Sequence, residues 1–268
     1  MKAYIVFTRI PVEHKTKTRL LPYYTPKQCV GLHTAMLKDL ARTLNGLAAS
    51  IKVYIYYLPE GDVSLIKNIF GEDKTYREQR GENLGDKMYN AISEVLSEGA
   101  SAVSLSGTDI PLLSTEDIIS SFTNLENNDI VLSPTEDGGY YLVGMKKANK
   151  EIFDIEGYGG SSVYENTKQK IKDMGLSLGT GKSHRDIDTK EDIKAYYDIM
   201  RTDADFRKTH TAKFLKENKS IAIIIPTYNE EDTIVSLMNQ LDGIKDRCEI
   251  VFVDGGSTDK TLELIDES

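Results

Sequence analysis

The residues of this chain that could do chemistry gather in a few short stretches. The first is Thr8-Arg9-Ile10-Pro11-Val12-Glu13-His14-Lys15-Thr16-Lys17-Thr18-Arg19, directly after an apolar run at 3–7. Cations crowded into one loop repel one another unless anions join them. Side chains at alternate positions of extended chain point the same way, so Lys17 and Arg19 can reach one oxyanion together. The loop is therefore expected to hold phosphate, with Thr8, Arg9, Lys17 and Arg19 as contacts; a solvated basic loop is the plainer alternative. The second stretch, Ser106-Gly107-Thr108-Asp109-Ile110-Pro111, closes an apolar run at 101–106. A glycine there lets backbone approach a ligand, and a carboxylate at a strand end can hold Mg²⁺ or Mn²⁺ against phosphate oxygens. A simple Asp-containing turn stopped by Pro111 would look the same.

Three further stretches belong with these if the topology brings them together. Asp137-Gly138-Gly139 separates two apolar runs, either as plain hairpin chemistry or as a turn opening beside Asp109. Gly81, Asn83 and Gly85 precede a helical pattern and are expected either to read a base or sugar edge or, for Asn83, to cap the helix. Asp186 and Asp188 alternate in an extended segment, so both face one side; Asp188 is the expected second metal carboxylate beside Asp109.

The elements that must position these residues are legible from periodicity. Short β-branched and aromatic runs at 3–8, 51–57, 101–106, 129–133 and 140–145 alternate with helical patterns. That alternation predicts an α/β fold, a mostly parallel sheet with helices on both faces. Thr25-Pro26-Lys27-Gln28 reads as a capping box with proline at the first helical position. The helix that follows carries Val30, Leu37, Leu40, Ala41, Leu44 and Leu47 at helical spacing. Other helices are expected near 84–97, 115–125, 161–174 and 189–200. In such sheets ligands sit beyond the carboxyl ends of the strands, where the stretches above fall.

Composition narrows the class. A net charge of −9 excludes a broad basic face for nucleic acid. Cys29 and Cys248 are too few and too far apart for a disulfide framework or a zinc cluster and read as buried free thiols. The opening apolar run is too short for a signal peptide, and nowhere do enough apolar residues run together to span a membrane; a soluble, cytoplasmic protein is expected.

Taken in order, Phe7…Pro11…Lys17-Thr18-Arg19-Leu20, Asn83-Leu84-Gly85, Gly107-Thr108-Asp109-Ile110-Pro111, Asp137-Gly138-Gly139-Tyr140-Tyr141 and Asp186-Ile187-Asp188-Thr189-Lys190-Glu191-Asp192 resemble the GT-A transferases called radical-SAM/selenodomain-associated transferase 1, or DUF2064. The resemblance covers about residues 1–200. It implies a Rossmann-like nucleotide-diphospho-sugar transferase fold, a nucleotide over the first loop and Asp109 as a metal ligand. Lys17, Arg19 and Asp109 become the expected catalytic groups, acting on a nucleotide sugar or nucleoside triphosphate and a small-molecule acceptor. Glycosyl transfer is the first expectation, nucleotidyl transfer the second and a non-catalytic nucleotide-binding protein the third. Where the family usually has glycine, this chain has His14, and Arg9 stands where lysine is common. A position needing positive φ would strain His14 or reshape the loop.

The tail carries a second resemblance. Ser220-Ile221-Ala222-Ile223-Ile224-Ile225-Pro226-Thr227-Tyr228-Asn229-Glu230-Glu231 and Glu249-Ile250-Val251-Phe252-Val253-Asp254-Gly255-Gly256-Ser257-Thr258-Asp259-Lys260-Thr261 are similar to the opening of family 2 glycosyltransferases, in which residues matching Thr227, Glu230 and Asp254 contact nucleotide. The expected organisation is a transferase domain at 1–200, a helical linker at 201–219 and a partial second domain at 220–268. The tail's strands read as buried on both faces, so the tail is expected to pack on the first domain or on another copy of the chain, or to belong to a longer two-transferase fusion.

Overall fold

The computed structural model describes all residues except 156, 220–221, 245–247 and 267–268. The tail's first strand, expected at Ile221–Ile225, thus begins outside the described residues. The chain divides into two compact units, Met1–Leu215 and Lys216–Ser268.

The first unit runs β1 (Lys2–Arg9), α1 (Pro26–Asn45), β2 (Ile51–Leu58), α2 (Ser64–Phe70), β3 (Thr75–Glu78), α3 (Leu84–Ser97), β4 (Ala102–Ser106), α4 (Thr115–Asn127), β5 (Ile130–Pro134), β6 (Tyr140–Met145), α5 (Val163–Asp173), β7 (Leu178–Thr180), α6 (Lys190–Thr202) and α7 (His210–Glu217). Its strands form one sheet in the order β3-β2-β1-β4-β6-β5-β7. Pairing is parallel except that β6 runs antiparallel to β4 and β5. The expected runs are the central strands. The edge strands β3 and β7 and the helix α2 lay outside the sequence reading. Thr75–Glu78 carries charge at two of its four positions, and β7 has only three residues, so neither shows the apolar run of a buried strand.

Helices cover both faces. Met88, Ala91, Ile92 and Val95 of α3 and Ile171 of α5 pack with Ile5, Leu105 and Val143 on one face. Leu37, Leu40 and Leu44 of α1, with Ile66 and Phe70 of α2 and Ile118, Phe122 and Leu125 of α4, cover the other. Burying each such side chain stabilises the fold by about 1.5–3 kcal/mol. The capping box at Thr25 and Gln28 is present, with Pro26 as the first helical residue.

Helix α1 is buried on two sides, and this changes the expected organisation. Cys29, Leu32 and Met36, behind the sheet-facing stripe, pack against Tyr196 of α6, Phe206, and Ala212 and Leu215 of α7. Asp39 caps α7, accepting the backbone N–H groups of His210 and Thr211, both at 2.8 Å. Residues 201–215, expected as linker, are therefore part of the first unit's core. Both cysteines are free, but only Cys29 is buried, Cys248 being partly exposed.

The second unit comprises β8 (Ala222–Thr227), α8 (Ile234–Leu241), β9 (Glu249–Asp254) and α9 (Thr261–Asp266). The two strands pair in parallel, with Thr227 opposite Asp254. They are not buried on both faces: Ile224 is 66% and Val253 51% exposed. Two short helices cannot cover both faces of a parallel pair.

Candidate functional site

The ends of β1, β2 and β4, with the start of β6, open on a cleft of about 860 Å³. It lies in the first unit, where the sheet topology directs a ligand. Lining it are Thr8, Arg9, His14, Lys17 and Arg19 from the first loop, Gly107 and Asp109 from the second, Asp137 and Gly139 from the hairpin, and Asp186 and Asp188 from the segment before α6.

Lys17 is the organising residue. It adopts a left-handed conformation, φ 52°, at the head of a single 3₁₀ turn, Thr18–Leu20. Its side chain is 4% exposed, and its ammonium meets Asp109 Oδ1 at 2.7 Å. The same ammonium donates to the Ile187 carbonyl. Because the Ile187 N–H donates to the Asp109 carbonyl at 2.9 Å, three segments distant in sequence are tied at one point. Ile187 is fully buried, so Asp186 and Asp188, one residue to either side of it, are turned away from the core toward the cleft.

The two arginines of the loop are paired as well. Arg19 meets Asp188 Oδ2 at 2.6 Å, and Arg9 meets Glu60 Oε2 at 2.9 Å. Three of the loop's cations, Arg9, Lys17 and Arg19, thus have counter-charges from the protein's own carboxylates. Asp188, the expected second metal carboxylate, is engaged with Arg19, and Asp186 is the carboxylate on which the charge of Asp109 acts. His14 has φ 60°, so the position does demand the left-handed region, where a side chain is strained.

Two carboxylates here have displaced acidities. Burial disfavours the charge on Asp109, but Lys17 above all, then His33 and Arg9, outweigh it and hold the carboxyl below its ordinary range. Asp186 goes the other way. Burial, then the neighbouring charges of Asp137, Asp192 and Asp109, push it up to about 7. Among the described residues no three side chains form a ready-made metal cluster. Asp109 and Asp186 nevertheless suit a cation that takes its remaining ligands from phosphate and water, and the crowding of negative charge at Asp186 is what such a cation relieves.

The hairpin turn serves both of its expected purposes. Asp137 Oδ1 accepts the Gly139 N–H at 3.0 Å, a turn contact, while Asp137 and Gly139 line the cleft. Gly138, at φ 92°, does not line it; a Cβ there would lie 1.9 Å from the Ser161 carbonyl oxygen, so only glycine allows the 157–162 loop to pass. Gly81, Asn83 and Gly85 are likewise absent from the lining. Asn83 caps α3, its Oδ1 accepting the Asp86 N–H at 2.8 Å. Gly85 is a packing glycine, since a Cβ would come within 2.4 Å of the Phe153 carbonyl oxygen. Thr8 is buried, and its hydroxyl donates to the Arg9 carbonyl at 3.0 Å.

His33 of α1 escaped the sequence reading, hidden within the helix's apolar pattern. It borders the cleft, is 3% exposed, and donates from Nε2 to the Arg9 carbonyl at 3.2 Å. Burial pushes its pKa down to about 4 against the opposing pull of Asp109, and so keeps the ring neutral. In the second unit, Thr227 and Asp254 end the paired strands. Asp254 Oδ2 accepts the N–H groups of Gly256 and Ser257 at 2.8 and 2.9 Å, and Thr233 donates to the Glu230 carboxylate.

This fold and cleft define a transferase built on the nucleotide-diphospho-sugar transferase plan. A crystal structure from Desulfovibrio desulfuricans G20, described as a nucleotide-diphospho-sugar transferase, matches at 28% identity and a TM-score of 0.74, covering 81% of this chain and 94% of that one. Residues 40–159 match the family described as "Uncharacterized protein conserved in bacteria (DUF2064)", and residues 222–268 match "Glycosyl transferase family 2". A 2-phospho-L-lactate guanylyltransferase from Methanobrevibacter ruminantium is 23% identical over 203 residues, 70% of this chain and 83% of that protein. These matches support a similarity to the DUF2064/GT-A-like superfamily. Among the described residues no helix is long and apolar enough to cross a membrane.

Proposed function

We propose that the first unit transfers a glycosyl group from a nucleotide sugar to a small-molecule acceptor. The observation that carries this reading is the convergence of Lys17, Arg19, Asp109 and Asp186 on one cleft at the strand ends. Arg19, 63% exposed, is free to exchange Asp188 for a diphosphate, and Lys17 fixes the Asp109 carboxylate opposite it. Asp109 and Asp186 would hold Mg²⁺ or Mn²⁺, which offsets charge on the departing diphosphate. Nucleotidyl transfer from a nucleoside triphosphate is the second reading, favoured by the guanylyltransferase relative. The same cations would then stabilise the pentacoordinate phosphorus. In the second unit, Thr227, Glu230 and Asp254 are proposed as a partial nucleotide-contact set that adds nothing to the first cleft.

The experiment is a thermal-shift panel of nucleoside diphosphates, triphosphates and nucleotide sugars, with and without Mn²⁺, followed by product analysis. A ligand that binds only the native state raises its stability. Release of nucleoside diphosphate supports glycosyl transfer, and release of pyrophosphate supports the second reading. No shift with any nucleotide would overturn both.

A further inference from the structure

Two buried groups beside the cleft are each short of a partner, and they are of opposite kinds. The first is the third N–H of Lys17. An ammonium carries three donors. This one, on a side chain 4% exposed, places two of them, on Asp109 Oδ1 at 2.7 Å and on the Ile187 carbonyl. The second is Nδ1 of His33. The Nε2 of that ring faces the Arg9 carbonyl, which can only accept, so Nε2 carries the proton. A further proton on Nδ1 would make the ring a buried cation. Burial opposes that most, and the Lys17 charge adds to it against the pull of Asp109. Nδ1 is therefore a bare acceptor, enclosed in protein and met by no donor among the described residues. Leaving such an atom unpaired is costly. Asp109 and then Lys17 are the charged side chains that act most strongly on the ring, and all three residues line the cleft. In the resting pair the ammonium stays with the carboxylate, because an ionised acceptor holds it more strongly than a neutral imidazole. A divalent cation on Asp109 would reverse that preference, since it would lie beside the ammonium and like charges repel.

We infer that His33 Nδ1 is the acceptor to which the Lys17 ammonium turns when the Asp109 carboxylate is taken from it. His33 is then a positioning residue. It touches neither cation nor phosphate, but it receives a charge that would otherwise be stranded in the protein, and so eases the binding of a divalent cation at Asp109. The cation rests on the reading of Asp109 given above, whereas the turn of Lys17 needs only the loss of the carboxylate and can be tested without metal.

The test follows His33 by ¹⁵N NMR in protein labelled at histidine. In the resting protein Nδ1 is expected to resonate far downfield, as a bare imidazole nitrogen does. In Asp109→Ala, without metal, it is expected to move upfield, the direction in which accepting a hydrogen bond shifts such a nitrogen, and adding Lys17→Met to that variant should abolish the move. Saturating Mg²⁺, which is diamagnetic, should move it the same way in the unaltered protein. A resonance already upfield in the resting protein, or one that stays in place in Asp109→Ala, overturns the inference, as does Mg²⁺ that binds by calorimetry without moving it. If Mg²⁺ does not bind, the cation reading of Asp109 falls, and Asp109→Ala alone decides the turn of Lys17. Two substitutions separate the acceptor of His33 from its bond to Arg9. Glutamine keeps an N–H near the position of Nε2 but no acceptor at Nδ1, while asparagine keeps an acceptor near Nδ1 and gives up the Arg9 contact. His33→Gln is expected to weaken Mg²⁺ binding about tenfold, the effect of one charge-assisted hydrogen bond, and His33→Asn less. The reverse order would make the ring a support for the Arg9 carbonyl alone and overturn the inference.

Discussion

The Lys17–Asp109 pair predicts an asymmetry that a symmetric surface ion pair would not show. Lys17 is 4% exposed and Asp109 48%, with Nζ and Oδ1 2.7 Å apart. Asp109→Asn strands a buried ammonium, leaving it the Ile187 carbonyl and a neutral amide. A hydrogen bond to a charged group contributes about 1.5–3 kcal/mol, and stranding a fully buried charge costs about 3–5 kcal/mol. Half-exposure of Asp109 places the expected loss near the lower figure, about 2 kcal/mol. The variant should stay folded, because domains of this size are stable by about 5–15 kcal/mol. Lys17→Met removes the buried charge itself, and the carboxylate it leaves behind can be solvated, so that loss is expected to be under about 1 kcal/mol. The double variant should then resemble Lys17→Met, with a coupling energy of about 2 kcal/mol. Urea unfolding followed by far-UV circular dichroism measures all four proteins. If Lys17→Met proves the more damaging, or the two losses simply add, the pair does not hold the site as described.

Asp186, raised from 3.8 to about 7, holds a proton in the folded state that the unfolded state releases, so its contribution falls as pH rises between about 4 and 7. Asp186→Asn should therefore be more stable than the unaltered protein by about 2 kcal/mol at pH 8, after discounting for partial exposure, and no more stable below pH ~4; a lower melting temperature at pH 8 would contradict this. Asp117 behaves oppositely. Burial opposes its ionisation, but the His184 hydrogen bond and then Ser114 outweigh it and draw the carboxyl from 3.8 down to about 2. That gap is worth about 2 kcal/mol, present above pH ~4 and lost as pH falls toward 2, so Asp117→Asn should be less stable by that amount at pH 7 and converge with the unaltered protein in acid. A chain ending at Asn218 should fold and bind nucleotide unchanged; folding with loss of binding would show that residues beyond 218 contribute to the site.

What could be read in advance was whatever is local. The apolar runs of the central strands, the capping box at Thr25 and the extended alternation of Asp186 and Asp188 depend on neighbours in sequence, and each is found. Pairings across about 90–170 residues were not legible. That Lys17 meets Asp109, or that Arg19 takes Asp188 and leaves Asp186 beside Asp109, follows from how three loops stack against buried Ile187. The role of α1 was half read for the same reason. Its sheet-facing stripe is periodic, but its second buried side exists only because α6 and α7 return to cover it, which also made residues 201–215 look like linker. Asn83 was ambiguous in kind: a cap and a ligand contact use the same residue type before a helix, and packing decided for the cap.

Crowded cations need counter-charge, which the sequence alone assigns to a phosphate. In the structure Glu60, Asp109 and Asp188 supply it instead. A phosphate entering alone must displace a carboxylate from Arg19, and the freed carboxylate then adds to the negative charge already crowding Asp186. A divalent cation entering alone meets Asp109 with Lys17 still bound to it. Entering together, the two ligands exchange the partners: the cation takes up the carboxylates as phosphate takes up the arginine. Binding of nucleoside diphosphate and Mn²⁺ is therefore expected to be positively coupled, by about 1–3 kcal/mol, with each raising the other's affinity by the same factor. Part of that coupling arises in solution, where Mn²⁺ binds diphosphate directly, so the site's share is the difference between the unaltered protein and Arg19→Ala. Calorimetric titration of each ligand at several fixed concentrations of the other gives both numbers. Arg19→Ala leaves Asp188 unpaired and removes the exchange, so it should weaken diphosphate binding while reducing the coupling. Equal coupling in the two proteins would mean that the paired resting state of the loop has no part in ligand binding.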